Sequence, residues 1–203
     1  MKEKIVQKAT DLFLKIGFKS VTMDDIAAEM AISKKTIYTH FKNKTELVQE
    51  CTCNLLHNIT NGIDEICSLN QNPIEELYNI KKYVLGKIED DKSSPHFQLQ
   101  KYYPEISENL KASHFEKMME CTRTNLRRGI EQGLYRSNLN IDFIARLYFL
   151  SVHGIKDQDL FPVEKFSTKY VNEEYLEYHL RGIVTSEGFN ILNKFIKAHQ
   201  TND

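Results

Sequence analysis

The sequence has 203 residues, of which 41% are hydrophobic and 27% are charged, and its 27 Lys and Arg nearly balance its 28 Asp and Glu. This composition excludes the fibrous, disordered and membrane-embedded classes, and the length suits one domain or a small domain followed by a larger one. The longest apolar run, at 147–152, is too short to span a bilayer, and the charged first residues are unlike a signal peptide. With four cysteines and no export signal, we expect a cytoplasmic protein without a disulfide framework or a membrane partner.

Positive charge is concentrated in the first quarter of the chain. Residues 1–48 contain nine Lys and six Asp or Glu, whereas the remainder contains 18 basic and 22 acidic side chains. A local excess of one sign attracts ligands of the opposite sign to that part of the surface. Only eight Gly and four Pro interrupt the chain, and apolar residues recur at helical spacing, so we expect an all-α fold.

The first two helices are predicted from their apolar faces and their end signals. A stripe at helical spacing defines helix 1: Ile5, Ala9, Leu12, Phe13 and Ile16. Gly17 supplies the stop for that helix, and Thr22 supplies a hydroxyl N-cap for helix 2. The predicted inner face of helix 2 consists of Ile26, Ala27 and Met30.

A third, short helix is predicted after a turn at Ala31 and Ile32, with Ser33 as its cap. Ile37 and Phe41 are four residues apart and would face inward. The outer face would then be basic, aromatic and hydroxylated, formed by Lys34, Lys35, Thr36, Tyr38, Thr39, His40 and Lys42.

Lysines occupy helix starts, where cations are unfavourable. Lys34 and Lys35 lie in the first turn of helix 3, and Lys44 follows Asn43, the predicted N-cap of helix 4. A cation there opposes the helix dipole, whereas an anion would be bound by the lysine and by the free backbone N–H groups together. We therefore expect a phosphate at these positions. Two short helices joined by a tight turn, with such side chains exposed, are typical of a helix-turn-helix that enters the major groove.

The first 48 residues resemble the tetracycline-repressor (TetR) family of bacterial transcriptional regulators. The resemblance is carried by the segments VTMDDIA at 21–27 and SKKTIYTHFKNKTEL at 33–47, and it weakens in the body of the chain. It implies an all-α fold with two domains. These are a three-helix DNA-binding domain at 1–48 and a larger helical effector-binding and dimerisation domain at 49–203.

The resemblance also implies roles for individual side chains. Contacts with phosphates are implied for Thr22, Tyr38, His40 and Lys44. Approach to base edges is implied for Lys34, Lys35 and Thr36, with Thr39 on the same face. The chemistry agrees, because lysine donates to guanine O6 and N7 and threonine contacts the thymine methyl group. The alternatives are that the lysines are ordinary solvated residues, that Tyr38 is a packing residue, and that His40 packs against helix 1.

The body is predicted to consist of helices that break at prolines and at short polar segments. Their expected ranges are 44–67, 73–90, 93–102, 104–133, 140–157, 172–184 and 186–199, with breaks at Pro73, 93–95, Pro104, 138–140 and Pro162. TetR-family proteins dimerise through their last long helices, which implies a homodimer through 140–157 and 172–199. The alternative is that these are core helices of a monomer, because an apolar stripe does not identify the chain that covers it.

A small-molecule pocket in the body is also implied by the resemblance. Apolar and aromatic residues with a few polar groups would line it. The candidates are Phe97, Tyr102, Tyr103, Phe115, Met118, Met119 and His153. Residues of these types are more often core residues than pocket walls, since aromatic and Met residues at helical spacing fill any bundle core.

The sequence gives little indication of a metal site or of catalysis. Cys53 and His57 are four residues apart, but two ligands alone are a weak metal signal, so we expect a buried thiol beside an unrelated histidine and no metal. Phosphate-binding glycine loops, a nucleophile elbow and the H-E-x-x-H motif are missing from the sequence, so we expect neither an enzyme nor a cofactor.

The sequence therefore predicts a regulator that binds double-stranded DNA at a palindromic operator as a dimer and represses transcription until a small molecule binds the body. One alternative is an architectural or cell-division DNA binder that is controlled by a protein partner. The other is a helical enzyme or binding module without affinity for DNA.

Overall fold

The computed structural model describes residues 1–87 and 95–200, and within these residues the regular structure is helical. The helices are α1 (Lys2–Ile16), α2 (Met23–Glu29), α3 (Lys34–Tyr38), α4 (Lys44–Ser68), α5 (Pro73–Lys87), α6 (Pro95–Tyr102), α7 (Pro104–Glu131), α8 (Ile141–Gly154), α9 (Thr168–Ile183) and α10 (Ser186–Gln200). One isolated antiparallel bridge joins Tyr135 to Val184. Within the described ranges, no helix combines the length and the apolar character that a bilayer crossing requires.

The chain forms two compact units. Unit 1 comprises Met1–Asn61 and Gly86–His114, and unit 2 comprises Gly62–Leu85 and Phe115–Asp203. The division falls within α4, α5 and α7, so each of these helices contributes residues to both units. The domain boundary after residue 48 stays a prediction, because a division by packing does not establish which segment folds alone.

The core of unit 1 contains the apolar faces of α1 to α3. Its buried members include Ile5, Phe13, Ile26 and Ile37, each completely inaccessible to solvent. Ile16 was expected in the same stripe, but 49% of it is exposed. The spacing of apolar residues predicts which side of a helix faces inward, and it does not predict how far the core extends along the helix axis. Ile16 is the last residue of α1, beyond that extent.

The caps of the first helices agree with the local signals. Gly17 ends α1 with φ of +100°, a left-handed value that favours glycine, and its N–H donates to the Phe13 carbonyl at 2.9 Å. Ala31 adopts φ of +52° in the turn before α3. The Asn43 side chain caps α4 by accepting from the Glu46 N–H at 2.8 Å, and a Glu46 oxygen accepts from the Lys42 N–H at 2.6 Å.

The later helices match the expected segments with shifted ends. Helix α9 starts at Thr168, four residues before the predicted start, because Ser167 caps it by accepting from the Tyr170 N–H. Helix α8 ends at Gly154, three residues before the predicted end. Helix α6 begins at Pro95, two residues after the predicted start. The predicted start itself, 93–94, and the predicted end of the preceding helix, 88–90, lie outside the described residues.

The core of unit 2 includes a buried polar network beside its apolar cluster. Glu76 is 1% exposed and accepts from Arg128 at 2.5 Å and from Asn125 at 2.8 Å. The Tyr135 hydroxyl donates to the Asn125 side-chain oxygen at 3.1 Å. Burial also raises the pKa of Tyr135 well above its usual value, so its hydroxyl stays protonated and available as a donor.

Candidate DNA-binding site

The short helix α3 presents one face to the core and the opposite face to solvent. Ile37 is completely buried and Phe41 is 1% exposed, as their spacing predicted. The other predicted contact residues of the segment are exposed or half-buried: Lys34, Lys35, Tyr38, Thr39 and His40 are exposed, and Thr36 is half-buried. The arrangement brings all six onto the solvent side of one helix and its C-terminal turn.

The two threonines of this face take part in local hydrogen bonds. Ser33 caps α3 by accepting from the Thr36 N–H at 3.1 Å, and the two hydroxyls lie 2.8 Å apart. The Thr39 hydroxyl donates to the Thr36 carbonyl at 2.6 Å. Because that bond uses the single hydroxyl hydrogen, Thr39 can offer a partner its methyl group and its oxygen lone pairs.

The lysines of the face differ in their partners. The Lys34 ammonium forms an ion pair with Asp24 at 2.7 Å, and this hydrogen bond raises the pKa of Lys34. Lys35 and Lys42 form no ion pair or hydrogen bond through their side chains within the described residues. Two exposed ammonium groups are therefore free to bind an anion without losing a partner.

Tyr38 and His40 are directed to solvent. Tyr38 is 45% exposed, and the His40 ring is also exposed. The structure therefore contradicts the alternative in which His40 packs against helix 1, because an imidazole in that packing would be covered. Both side chains carry a donor that can reach an oxyanion.

Thr22 forms a capping box at the start of α2. Its hydroxyl accepts from the Asp25 N–H at 3.2 Å and donates to the Asp25 carboxylate at 2.7 Å, and its own N–H donates to the same carboxylate at 2.7 Å. The hydrogen bond from the Thr22 backbone lowers the pKa of Asp25 most strongly. The Thr22 hydroxyl thus already uses its hydrogen, and a phosphate at this helix start would meet the carboxylates of Asp24 and Asp25 as well.

Lys44 is held inside unit 1. Its ammonium donates to the carbonyl of Phe18 at 2.6 Å and to that of Lys19 at 3.4 Å, and it lies 5.8 Å from the centre of the Phe13 ring. Burial lowers the pKa of Lys44. These carbonyls follow the end of α1, so Lys44 ties the start of α4 to the chain that leaves α1. Sequence reasoning assigned Lys44 to phosphate alone, and nothing in the local pattern predicts a partner 26 residues earlier in the chain.

Comparison with known proteins agrees with this geometry. The model of the family described as "Bacterial regulatory proteins, tetR family" matches residues 5–51. Over 198 residues the chain is 25% identical to the transcriptional repressor KstR2 of Mycolicibacterium smegmatis, and the alignment covers 92% of each protein. Residues 5–51 therefore form a DNA-binding domain of the TetR family, and the chain as a whole is similar to a transcriptional repressor.

Two further relatives cover the body of the chain less completely or at lower identity. The negative transcriptional regulator IcaR of the Staphylococcus aureus biofilm operon icaADBC is 31% identical over 117 residues, which is 54% of this chain and 59% of IcaR. A TetR-family regulator of Agrobacterium tumefaciens has a solved structure that covers 91% of this chain with a TM-score of 0.71 and 22% identity. That similarity establishes the fold.

The predicted effector-binding residues are divided between the two units. Phe97, Tyr102 and Tyr103 belong to unit 1. Phe97 and Tyr102 are 43% and 39% exposed and share the Lys101 ammonium, at 5.5 and 5.8 Å from their ring centres. Tyr103 packs edge-on against Phe18 at 6.3 Å.

The other four candidates, Phe115, Met118, Met119 and His153, belong to unit 2. Phe149 brings two of them together, because its ring lies 4.9 Å from Phe115 and 4.2 Å from His153. Met119 is 1% exposed and is a member of the core, whereas Met118 is half-buried. A small apolar recess of about 10 Å³ in unit 1 is lined by other residues: Thr10, Phe13, Leu14, Phe18, Cys51, Thr52 and Leu55.

The surroundings of Cys53 and His57, the weak metal-binding pair of the sequence, differ from those predicted. Cys53 is exposed, so the expectation of a buried thiol is wrong, because this position lies on the side of α4 opposite the core residue Cys51. The Nε2 atom of His57 is hydrogen-bonded to the Asn61 side-chain nitrogen at 3.1 Å. Among the described residues, no group of three or more His, Cys, Asp or Glu is arranged to hold a metal ion.

Proposed function

We propose that this chain is a TetR-family transcriptional repressor that binds a palindromic operator as a homodimer in the bacterial cytoplasm. The exposed face of α3 carries the proposal, because it combines free cations, donors and methyl groups on a helix whose opposite face is fully buried. KstR2 and IcaR bear the names of a repressor and a negative regulator, which supports repression as the output. The chain acts by binding, and no catalytic step is required.

The side chains divide into base readers and phosphate binders. Lys35 reaches guanine O6 and N7, and the methyl groups of Thr36 and Thr39 contact thymine. Tyr38 and His40 donate to backbone oxygens and set the register of α3 in the groove. Lys34 joins the base readers when it exchanges the Asp24 carboxylate for the nucleic acid.

Dimerisation is supported by an uncovered apolar stripe on α8. Phe143, Leu147 and Leu150 follow the helical spacing i, i+4 and i+7, and they are 61%, 43% and 66% exposed. A contiguous apolar stripe of this kind marks an interaction surface. We propose that a second copy of the chain covers α8 together with the C-terminal helices within 172–199. A two-fold dimer presents two recognition helices to successive major grooves about 34–36 Å apart.

Release by a small-molecule effector completes the proposed mechanism. Two of the candidates, Phe115 and His153 in unit 2, are brought together by the ring of Phe149, which contacts both of them. An effector changes operator occupancy only to the extent that it binds the DNA-free state more tightly than the DNA-bound state. Helix α4 runs without a break from Lys44, directly after the helix-turn-helix, to Ser68. A continuous helix of this kind can couple effector binding in the body to the position of the helix-turn-helix.

The experiment that tests the function is selection of binding sites from a random duplex library by the purified protein at two salt concentrations. We expect enrichment of one inverted repeat and an affinity that falls steeply with salt. Lys35→Ala and Tyr38→Ala should each weaken binding to the selected operator about tenfold or more while the helical content is retained. Lys82→Ala is the matched control, because it removes one exposed lysine from α5 in unit 2 and should leave the affinity unchanged.

The result also separates the alternatives. Salt-dependent binding without an enriched sequence would indicate an architectural DNA binder in place of a repressor. Unchanged operator binding in both Lys35→Ala and Tyr38→Ala would overturn the assignment of α3 as the recognition helix.

A further inference from the structure

Two cysteines that the DNA-binding function does not use lie side by side in unit 2. Cys67 is in the last turn of α4 and Cys121 is in α7, and their sulfur atoms are 3.6 Å apart although 54 residues separate them in the chain. Both side chains are half-buried and both thiols are free. The contact is a hydrogen bond between the two thiol groups. The fold therefore already holds two partly buried thiols in contact.

The separation is short enough for a covalent bond to form with a small movement. A disulfide requires the sulfur atoms at about 2.05 Å, so the two atoms must approach by about 1.6 Å in total. Rotation of the side chains contributes to this approach, because cysteine has a single side-chain torsion that moves its sulfur. The other two described cysteines do not form a second such pair. Cys51 is buried and Cys53 is exposed, because they lie on opposite sides of α4.

The two thiols differ in acidity. The pKa of Cys67 is lowered, chiefly by its hydrogen bond with Cys121, while burial and the carboxylates of Glu76 and Asp64 act in the opposite direction. The pKa of Cys121 is raised by the same hydrogen bond and by burial. By contrast, burial raises the pKa of Cys51 to about 12, and the Cys51 thiol donates to the Val6 carbonyl at 3.4 Å. A more acidic thiol beside a second thiol is the arrangement found in oxidation-sensitive cysteine pairs.

We propose that Cys67 and Cys121 form an oxidisable dithiol site that hydroperoxides convert into an intramolecular disulfide. The Cys67 thiolate attacks the peroxide oxygen and breaks the O–O bond, which gives a Cys67 sulfenic acid and releases water, or an alcohol from an organic hydroperoxide. The Cys121 sulfur then attacks the Cys67 sulfur, a second water leaves, and the S–S bond forms. Two thiols and hydrogen peroxide thus give one disulfide and two waters, and a dithiol reductant reverses the change.

The disulfide would join the end of α4 to α7. Closing a loop between residues 54 positions apart restricts the unfolded chain strongly. We therefore expect the oxidised protein to unfold at a temperature higher by roughly 10 °C than the reduced protein.

The test treats the full chain with a small excess of hydrogen peroxide, blocks the remaining thiols with N-ethylmaleimide, and maps the peptides without reduction. Trypsin alone leaves Cys51, Cys53 and Cys67 in one peptide, so a Glu-specific protease is added to cut after Glu65 and separate Cys67. We expect a Cys67–Cys121 linked peptide that has lost two hydrogens and that disappears on reduction. Modification of Cys53 with no Cys67–Cys121 link would overturn the proposal.

Single variants assign the roles of the two thiols. Cys121→Ser should stop at the sulfenic acid, which dimedone traps on Cys67, and Cys67→Ser should abolish both the link and the rise in unfolding temperature. Cys53→Ser is the control and should form the link at the wild-type rate. Cys67→Ala and Cys121→Ala are measured in parallel, and circular dichroism verifies that each variant is folded. A dimedone adduct on Cys121 in Cys67→Ser, with none on Cys67 in Cys121→Ser, would contradict the assigned order of attack.

Discussion

Removal of Arg128 should destabilise the protein far more than removal of an exposed cation. Glu76 is 1% exposed, and the Arg128 side chain that pairs with it is 19% exposed. In Arg128→Met the Glu76 carboxylate keeps the Asn125 hydrogen bond and loses its counter-charge. Breaking one side of a buried ion pair costs about 3–5 kcal/mol, because a charge is then left without compensation in a medium of low polarity. The backbone carbonyl of Gln71 also loses the Arg128 donor.

The measurement is urea unfolding at equilibrium, at one protein concentration because the stability of a dimer depends on it. The double variant Glu76→Gln/Arg128→Met should recover about half or more of the loss, since an amide retains an acceptor for Asn125 without a buried charge. Lys8→Met is the control, because the ion pair of Lys8 with Glu29 is exposed to solvent and its removal should have no measurable effect. A loss below about 1 kcal/mol in Arg128→Met would refute the reasoning from burial.

Three further predictions concern other parts of the chain. Gly188→Ala should lose about 1–3 kcal/mol in urea unfolding, because a Cβ there would lie 2.2 Å from the Leu134 carbonyl oxygen. Gly86→Ala should be neutral or slightly stabilising, because an added Cβ would meet no atom within 4 Å among the described residues outside its own helix turn. Burial lowers the pKa of His179 from 6.5 to about 4, so as the pH falls the unfolded chain binds a proton at a higher pH than the folded chain does. This group alone should reduce the unfolding free energy by about 3 kcal/mol between pH 6.5 and 4, and His179→Gln should remove that contribution. Thr22→Ala should cost about 1 kcal/mol of unfolding free energy and weaken operator binding, whereas Thr22→Ser, which keeps the capping hydroxyl, should restore both; a loss of binding in Thr22→Ser would show that the methyl group is required.

The helix-turn-helix was predictable because its signals are local. The caps at Thr22, Ser33 and Asn43 act on N–H groups three residues away, and each was identified from its residue type and position. The burial of Ile37 and Phe41 followed from their spacing of four residues. Each of these inferences needs only the geometry of one helix and the turn before it.

Partners that are distant in the chain were not predictable in the same way. The Cys67 and Cys121 contact depends on how α4 packs against α7, and helical periodicity contains no information about that pairing. The same reason explains why the hydrogen bonds of Lys44 to Phe18 and Lys19 were missed. The candidate effector residues were chosen by residue type alone, so they include Met119, a core member, as well as exposed side chains such as Phe97.

The lysines of the helix-turn-helix have different partners in the free protein. This difference affects how the salt dependence and the affinity of DNA binding are interpreted. Lys34 is neutralised by Asp24 and Lys44 is bound to backbone carbonyls, whereas Lys35 and Lys42 have no side-chain partner among the described residues. A lysine that exchanges a carboxylate for a phosphate gains less free energy than one that starts in water, because it loses an existing partner. The salt dependence of binding counts the ions that are released from DNA, about 0.9 for each phosphate neutralised. Lys34 still contributes to that count when it reaches the DNA, but it adds less affinity than Lys35, because the free Asp24 carboxylate must be solvated again and lies close to the phosphates. The salt slope therefore reports how many lysines reach the DNA, whereas the affinity lost in each alanine variant reports which of them were already paired.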